Sequence, residues 1–437
     1  MNYSTILSHF NIEKLNPMQE ATIDAIANNN DVNLISPTGS GKTLAFLLPL
    51  VTLLDKDNNN VQALIIVPTR ELAIQIEQVF KQMNTGFKVN CCYGGHAVKV
   101  EKNNLQQPPA VLIGTPGRIA YHLRKENVIL DQTQILILDE FDKSLEAGFQ
   151  DEMGFIIKQM ATLRKRVLTS ATQLKEIPAF VGFKDEFQLN YANANKQVLP
   201  NLKVKSVQVE GDDKLEALML LIGKLGDQSK IVFCNHRDAV NRISEQLNLH
   251  QVEHGFYHGG LEQIDREKTL IKLRNGSTRL LVTTDLAARG LDIPEIEAVI
   301  HYQLPLTEDV MIHRNGRTAR MHAEGTAYFL LDIGDNLPPF LKETPQAETL
   351  PNSFVKPKPN EWTTLYIAAG KKDKINKMDI VGMLLQKGNL QKEELGKIEV
   401  LDFSAYVAVK SSKIRKTLQL IKDEKIKNKK VKMEIAS

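Results

Sequence analysis

Short apolar, β-rich runs recur through the first three-quarters of the chain, each closed by a polar or glycine-containing turn and followed by a segment with helical spacing. A first series reads "VNLIS", "ALIIV", "AVLIG", "ILIL" and "VLTS"; a second reads "KIVFC", "RLLVT", "AVIHY" and "AYFLL". None of them alternates between apolar and polar positions, which predicts parallel strands covered on both faces. The strand-helix rhythm predicts doubly wound α/β sheets, whose ligands sit beyond the carboxyl ends of the strands. Residues with chemistry are therefore expected just after strands.

Two breaks interrupt the rhythm. Residues 191–205, "YANANKQVLPNLKVK", are polar and poorly periodic, and separate the two series. Between Asp335 and Trp362 lie six of the chain's 17 prolines, a density that continues neither a helix nor a central strand and predicts an extended tether. The expected organisation is a first lobe at residues 1–200, a second at 201–335, a Pro-rich linker at 336–362 and a small third domain at 363–437. A length of 437 residues fits two or three domains.

Composition narrows the class. Apolar content of 42% and charged content of 24% fit ordinary globular material, and no apolar run approaches membrane-spanning length. Three cysteines form neither a disulfide framework nor a CxxC metal pattern, so a reducing cytoplasm is expected. The start, "MNYSTILSHFNIEKLN", lacks a basic region followed by a continuous apolar core, so no signal peptide is expected. Net charge is only +3, but Lys410 to Ser437 carry ten Lys/Arg against three Asp/Glu. Clustered basicity is an electrostatic footprint for nucleic acid, and equally the mark of a solvated helix face or tail.

Candidate chemistry falls where the rhythm places it. "SPTGSGKT", Ser36 to Thr43, follows "VNLIS" and precedes a helix with Leu44, Leu47, Leu48, Val51 and Leu54 on one face. Thr38, Gly39, Ser40 and Gly41 form a loop whose backbone N–H groups can turn toward phosphates, aided by the helix N-terminus. Lys42 would reach the β- and γ-phosphates and Thr43 a Mg²⁺ ion, although Ser36 stands where the general P-loop pattern has glycine. "LDEFDKS" follows "QILIL". There Asp139 is placed to hold Mg²⁺ through its water shell, and Glu140 to orient or deprotonate an attacking water. An acidic turn after a strand is common in isolation; the glycine-rich loop upstream makes it a partner.

At this point the chain resembles the DEAD-box RNA helicases. "PTRELA" (Pro68–Ala73), Gly94-Gly95, "TPGR" (Thr115–Arg118), "DEFD" (Asp139–Asp142) and "SAT" (Ser170–Thr172) look like the family's first-lobe motifs, in its order. "IVFCN" (Ile231–Asn235), "TTDLAARGLDIP" (Thr283–Pro294) and "HRNGRTAR" (His313–Arg320) look like those of the second lobe. The resemblance implies two RecA-like lobes and an ATP- and Mg²⁺-dependent RNA helicase. By position it implies that Gln19 reads adenine, that Gly290 and Asp292 line the nucleotide, and that Arg317 and Arg320 reach the γ-phosphate. Asp142, Ser170, Thr172 and His313 would couple hydrolysis to lobe closure. RNA contacts would come from Thr69, Arg70, Gly95, Thr115, Gly117 and Arg118, and from Arg237, Gly259, Gln263, Arg266, Thr283 and Thr284. Short hydroxyls, glycine N–H groups and arginines suit phosphate and ribose rather than bases. For the glycines a turn requirement, and for Arg118 and Arg266 a surface ion pair, are the plain alternatives. Phe141 stands where the family usually has Ala, and is expected to pack beside the phosphate loop or the strand end without chemistry of its own.

Residues 364–435 resemble the DbpA-type RNA-binding domain, an RRM-like α+β fold. Gly370-Lys371-Lys372, Asp379, Gly382, Gly396-Lys397-Ile398, Tyr406–Val409 and Lys425-Ile426-Lys427 carry that resemblance. It implies anchoring to structured large-subunit (23S-type) ribosomal RNA or pre-ribosomal particles through Lys371, Lys372, Lys397, Lys425 and Lys427, by a cytoplasmic monomer without membrane contact. "KIEVLDFSAYVAV" independently reads as two strands around a turn. Tyr366, Phe403 and Tyr406 are the domain's few aromatics for base stacking, and Tyr406 reads equally as core. The competing readings are an ATP-independent RNA chaperone or scaffold on a degenerate core, and a DNA translocase.

Overall fold

The computed structural model describes residues 3–37, 39–95, 98–191, 202–209, 214–288, 293–294, 296–319, 324–341, 344–427 and 429–436. The chain divides into two compact units, with the break between Leu199 and Pro200.

In the first unit, helices α1 (Tyr3–Ser8) and α2 (Pro17–Asn28) precede a sheet of β1 (Asp31–Ile35), β2 (Ala63–Ile66), β3 (Val89–Cys92), β4 (Val111–Gly114), β5 (Ile135–Leu138), β6 (Lys165–Ser170) and β7 (Glu186–Asn190). The strands lie in the order β3-β4-β2-β5-β6-β1-β7, and every pairing is parallel. Helices α3 (Lys42–Leu53), α4 (Arg70–Gln82), α5 (Val98–Leu105), α6 (Pro116–Arg124), α7 (Phe141–Glu146) and α8 (Gln150–Lys158) make the crossovers. The unbroken apolar runs have a simple cause. Ala63 and Ile65 of β2 enter one core with α2, α3 and α4, while Leu64 and Ile66 enter another with α6 and α8. Both faces are covered, so a polar side chain at either parity is buried and costs free energy unless it finds a partner, as Asn33 of β1 does in Glu186.

The second unit repeats the plan with β8 (Leu202–Gln208), β9 (Lys230–Cys234), β10 (Gly255–Tyr257), β11 (Leu280–Thr284), β12 (Ala298–His301), β13 (Gly325–Leu331) and β14 (Gln346–Ala347). Their order is β10-β11-β9-β12-β13-β8-β14, again parallel throughout. Helices α9 (Lys214–Leu225), α10 (Arg237–Leu249), α11 (Gln263–Arg274) and α12 (Glu308–Asn315) accompany them. Strand β14 comes from the Pro-rich segment, which the sequence reads as a tether. The structure corrects that expectation: the segment is a strap packed onto this lobe. Beyond β14, Glu348 pairs with Lys205 and Lys224, Phe354 packs against the core, and Val355 O would lie 2.6 Å from a Cβ at Gly223. Prolines lacking N–H groups do not prevent this, because only a short edge pairing is asked of the segment.

The same unit holds the small α+β fold: β15 (Trp362–Ile367), α13 (Lys377–Gln386), β16 (Leu395–Val400), β17 (Ala405–Lys410), α14 (Ile414–Ile421) and β20 (Met433–Ile435), with β18 (Lys425–Ile426) and β19 (Lys429–Lys430) as a separate hairpin. The antiparallel order β16-β17-β15-β20 is that of an RRM-like sheet. Leu365, Ile367, Val407 and Val409 face the core under α13 and α14. The opposite face carries Thr364, Tyr366, Tyr406 and Glu399, and α11 covers it. Ile271 packs with Tyr406 and Ala436; Arg274 makes a bidentate pair with Glu399 (2.9 and 2.7 Å); Asn275 Nδ2 donates to Thr364 Oγ1 at 2.9 Å.

Candidate active site and RNA-contact surfaces

The phosphate loop is built at the end of β1. Gly39 and Gly41 adopt φ of 79° and 89°, where a side chain would be strained, and a Cβ at Gly41 would meet Gln19 Nε2 at 2.5 Å. Thr38 lies outside the described residues. Lys42 opens α3, and its Nζ donates to Ser36 O (2.6 Å) and Pro37 O (2.9 Å), so the loop closes on its own lysine. Ser36 contributes a hydroxyl to Ser40 Oγ at 2.8 Å. Behind the loop, Asn16 and Gln19 form a capping box at the start of α2, each side chain accepting from the other's backbone N–H. Their amides then reach the loop: Asn16 Nδ2 donates to Ser40 O (3.0 Å) and Gln19 Nε2 to Gly41 O (3.2 Å). Asn16 thus acts as cap and clamp together, its side-chain oxygen capping α2 and its amide nitrogen holding the loop.

The acidic turn follows β5, two strands from β1. Asp139 is buried, and its Oδ1 accepts from Glu140 N (3.1 Å) and from the Thr169 hydroxyl. Burial pushes the Asp139 carboxyl up from its usual range, opposed by the Thr169 hydrogen bond and by Lys42. Burial likewise pushes the Lys42 ammonium down, opposed by Asp139, Glu140 and Asp142. A lysine and an aspartate, each penalised by burial and each relieved by the other, are what a phosphate and a divalent cation would complete. Glu140 has φ 48° and ψ 49°, a left-handed conformation costing an ordinary residue about 1 kcal/mol. Asp142 accepts from Thr172 Oγ1 at 3.1 Å, and Ser170 Oγ donates to Thr172 O at 2.6 Å, so the ends of β5 and β6 are cross-linked.

Phe141 is fully buried among Leu136, Leu138, Ile156 and Leu168, edge-on to Phe180 at 6.3 Å. The expectation of packing at the strand end holds; the phosphate loop is not its neighbour in that core. Phe141→Ala is expected to lower stability by about 3 kcal/mol and leave turnover within a few-fold, read by urea denaturation alongside ATPase assays. A hundredfold loss of turnover in a folded variant would contradict this.

The expected RNA contacts fall on adjacent strand ends in each lobe. Thr69 follows β2, Gly95 follows β3 and Thr115 follows β4, which are neighbours in the sheet. Thr69 caps α4 by accepting from Leu72 N, with Arg70 next to it; Gly95 has φ 86°; a Cβ at Gly117 would meet only open space. Arg118 does make an ion pair, but with the buried Glu101 at 2.6 Å rather than on the surface. In the second lobe, Arg237 follows β9, Gly259 follows β10, and Thr284 ends β11, again neighbours. Gln263 begins α11. Arg266 is buried, not a surface group, and Thr283 is fully buried with its hydroxyl donating to Tyr257 O. Thr283 therefore offers RNA no hydroxyl here. His313 and Arg317 are buried near the end of α12, while Gly290, Asp292 and Arg320 lie outside the described residues.

One residue escaped sequence reasoning. Arg314 is wholly buried and joins three second-lobe motifs: Nε and Nη2 bind Asp285 (2.6 and 3.1 Å), Nη2 also donates to Asn235 Oδ1, and Nη1 to Gln303 O. Its signal was present as the first arginine of "HRNGRTAR", one of three with no periodicity to rank them.

On the third domain Lys371, Lys372 and Lys425 are exposed. Lys397 lies 3.7 Å from Glu399, and Lys427 Nζ is 2.9 Å from Asp379. Tyr406 is core, packed on Ile271, so the stacking use of Tyr366 and Tyr406 is corrected: the sheet face that carries them is occupied by α11. Phe403 alone of the three aromatics is largely exposed, at 65%.

Two parallel-sheet lobes, a lysine-closed glycine loop beside a buried Asp-Glu turn, and a following RRM-like domain define an RNA-remodelling ATPase of the helicase class. The chain belongs to the DEAD-box ATP-dependent RNA helicases and is an RNA-stimulated ATPase: residues 16–180 match the DEAD/DEAH box helicase family, 213–322 the helicase conserved C-terminal domain and 364–435 the DbpA RNA binding domain. It is similar to the ATP-dependent RNA helicase DbpA of Escherichia coli (strain K12), 34% identical over 440 residues that cover 97% of this chain and 95% of that one. It is also similar to the ATP-dependent RNA helicase DbpA of Bacillus subtilis (strain 168), 30% identical over 454 residues, 96% and 94%. Among solved structures, Mss116p bound to ssRNA and AMP-PNP is 25% identical with a TM-score of 0.69, covering 76% of this chain and 73% of that one. S. cerevisiae Dbp5 bound to RNA and ADP BeF3 is 25% identical with a TM-score of 0.66, covering 75% and 86%. No helix among the described residues is long and apolar enough to cross a membrane.

Proposed function

We propose that this helicase separates short RNA duplexes in the maturation of large-subunit ribosomal RNA, held to its target by the third domain and working in the cytoplasm as a monomer. The observation that carries the nucleotide chemistry is the mutual burial of Lys42 and Asp139. An all-oxygen donor set of Thr43 and Asp139 fits Mg²⁺, which keeps several of its waters. Bound there, the ion neutralises phosphate charge. Lys42 exchanges the carbonyls of Ser36 and Pro37 for phosphate oxygens, and Gln19 fixes the adenine end. Glu140 holds the attacking water and takes its proton. Arg317 and Arg320 supply the remaining positive charge from the second lobe, so hydrolysis requires both lobes. Asp142, Ser170, Thr172 and His313 transmit that requirement.

Support for the RNA target comes from similarity to DbpA helicases along the whole chain and from the exposed lysines of the third domain. With one sheet face covered, those lysines lie on what remains accessible. ATPase stimulation measured across a panel of RNAs, including 23S ribosomal fragments, tests the proposal. The full chain is expected to respond at lower concentrations of ribosomal fragments than of unrelated RNA. A chain lacking residues 360–437 should keep its RNA-free hydrolysis and lose that preference by at least about tenfold. Equal affinity with and without the domain would refute the anchoring role. Stimulation by DNA in place of RNA would favour a translocase.

A further inference from the structure

Glu101 is a buried carboxylate that hydrolysis does not use. It stands on α5, 1% exposed, and gathers two N–H groups and a guanidinium. Oε1 accepts from Tyr93 N at 3.0 Å; Oε2 lies 2.7 Å from His122 Nε2 and 2.6 Å from Arg118 Nε. Asn127 Nδ2 lies 3.2 Å from His122 Nδ1. An amide donor at Nδ1 leaves the ring proton on Nε2, directed at Glu101. Tyr93 immediately precedes Gly94-Gly95, and Arg118 and His122 both lie on α6, one turn apart. A single carboxylate thus ties the glycine turn after β3 to the helix after β4.

Cys92 also approaches this group, and Cys, Glu and His together are a possible metal-ligand set. The Arg118 guanidinium already supplies the positive charge at 2.6 Å, and burial pushes the Cys92 thiol well above its usual range, away from the thiolate a metal needs. The cluster is therefore complete with its arginine.

We propose that Glu101 is a positioning residue for RNA: by its ion pair with the Arg118 guanidinium and its hydrogen bond from the Tyr93 backbone, it sets where the guanidinium lies and its register with Gly95 along one RNA backbone. This rests on the reading of Arg118 and Gly95 as RNA contacts. Arginine presents its donors in a rigid planar fork, so fixing one nitrogen fixes them all. The carboxylate's charge also meets the desolvation cost of keeping the arginine mostly buried before RNA arrives.

The test uses the full-length protein, a labelled single-stranded oligouridylate and AMP-PNP with Mg²⁺, titrated over a range of KCl. Glu101→Gln and Arg118→Ala should each weaken RNA binding about tenfold, and the double variant should be no more than about twofold worse than either. Each should also lower the salt slope by about 0.7, the share of one lost single-strand phosphate contact. A merely structural defect would not change that slope. For Glu101→Gln, KM for ATP and RNA-free turnover should stay within about twofold. Unaltered binding by Arg118→Ala would remove the RNA role of Arg118 itself. Normal binding by Glu101→Gln alongside a defective Arg118→Ala would overturn the positioning role and leave the RNA reading intact. Should Glu101→Gln not fold, Arg118→Lys decides: a compact ammonium lacks the planar fork whose separated nitrogens reach Glu101 and a phosphate in fixed geometry, so it should resemble Arg118→Ala. Wild-type affinity in Arg118→Lys, or one equivalent of tightly held zinc in the purified protein, would overturn the proposal.

Discussion

Glu140→Gln lowers RNA-stimulated ATP turnover by about 10² to 10⁴-fold while ATP and RNA still bind; this is the expected result for a lost general base. The amide keeps the size and one acceptor of the carboxylate but cannot take the proton. Glu140 is also well suited to isolation as a cause. Its left-handed backbone, φ 48°, is fixed by Glu140 N donating to Asp139 and by its carbonyl accepting from Lys143 N and Ser144 N, none of which involves the side chain. Its neighbours Lys42, Asp139 and Asp142 are left in place, so nucleotide affinity should change little. Fluorescent ATP-analogue binding and RNA-stimulated phosphate release, measured on the same preparation, separate the two. Near-normal release would remove Glu140 as the general base.

Arg317→Ala should cost still more, about 10³ to 10⁵-fold in turnover, the usual worth of an arginine that meets transition-state charge. The side chain is buried, and the backbone around it is pinned: Arg317 N donates to Arg314 O and Ile296 N donates to Arg317 O. That pinning makes Arg317→Lys as informative as Arg317→Ala, since a lysine could occupy the space but not reproduce a planar fork. Both variants should bind RNA and ATP normally and hydrolyse slowly. Arg314, only one turn before it, behaves differently by construction. It binds Asp285, Asn235 and Gln303 within the lobe, so its loss should appear as lost stability first. Turnover close to wild type in Arg317→Ala would remove it from the site.

The parts legible in the sequence were those where local chemistry and local structure coincide. Continuous apolar runs gave parallel strands because each one feeds two cores, and strand ends are where such sheets bind, which made the residues after β1 and β5 the candidates. Asp139, Glu140 and Lys42 were singled out in that way, and the structure places them close enough for their charges to interact. Long-range pairings were not legible. Nothing in "HRNGRTAR" distinguishes Arg314, which meets Asn235 and Asp285 from 79 and 29 residues away. Nor does a proline-rich stretch announce that Gln346 and Ala347 will extend a sheet. Tyr366 and Tyr406 looked available because alternation along a strand assigns a face without saying what covers it.

The covered sheet face brings with it an optical consequence. Trp362, the chain's only tryptophan, begins β15, where ideal Cβ positions at Gly276 and Gly396 would touch its ring at 3.6 and 3.3 Å and Lys410 Nζ sits 4.5 Å from its centroid. Gly276 belongs to the helicase lobe and Gly396 to the small domain. The indole thus sits half-buried between the lobe and the small domain, and tryptophan emission from the unlabelled protein reports on that single place. Separation of the small domain from α11 would bring water to that ring and shift its emission to the red, so the joint can be watched during turnover without a dye.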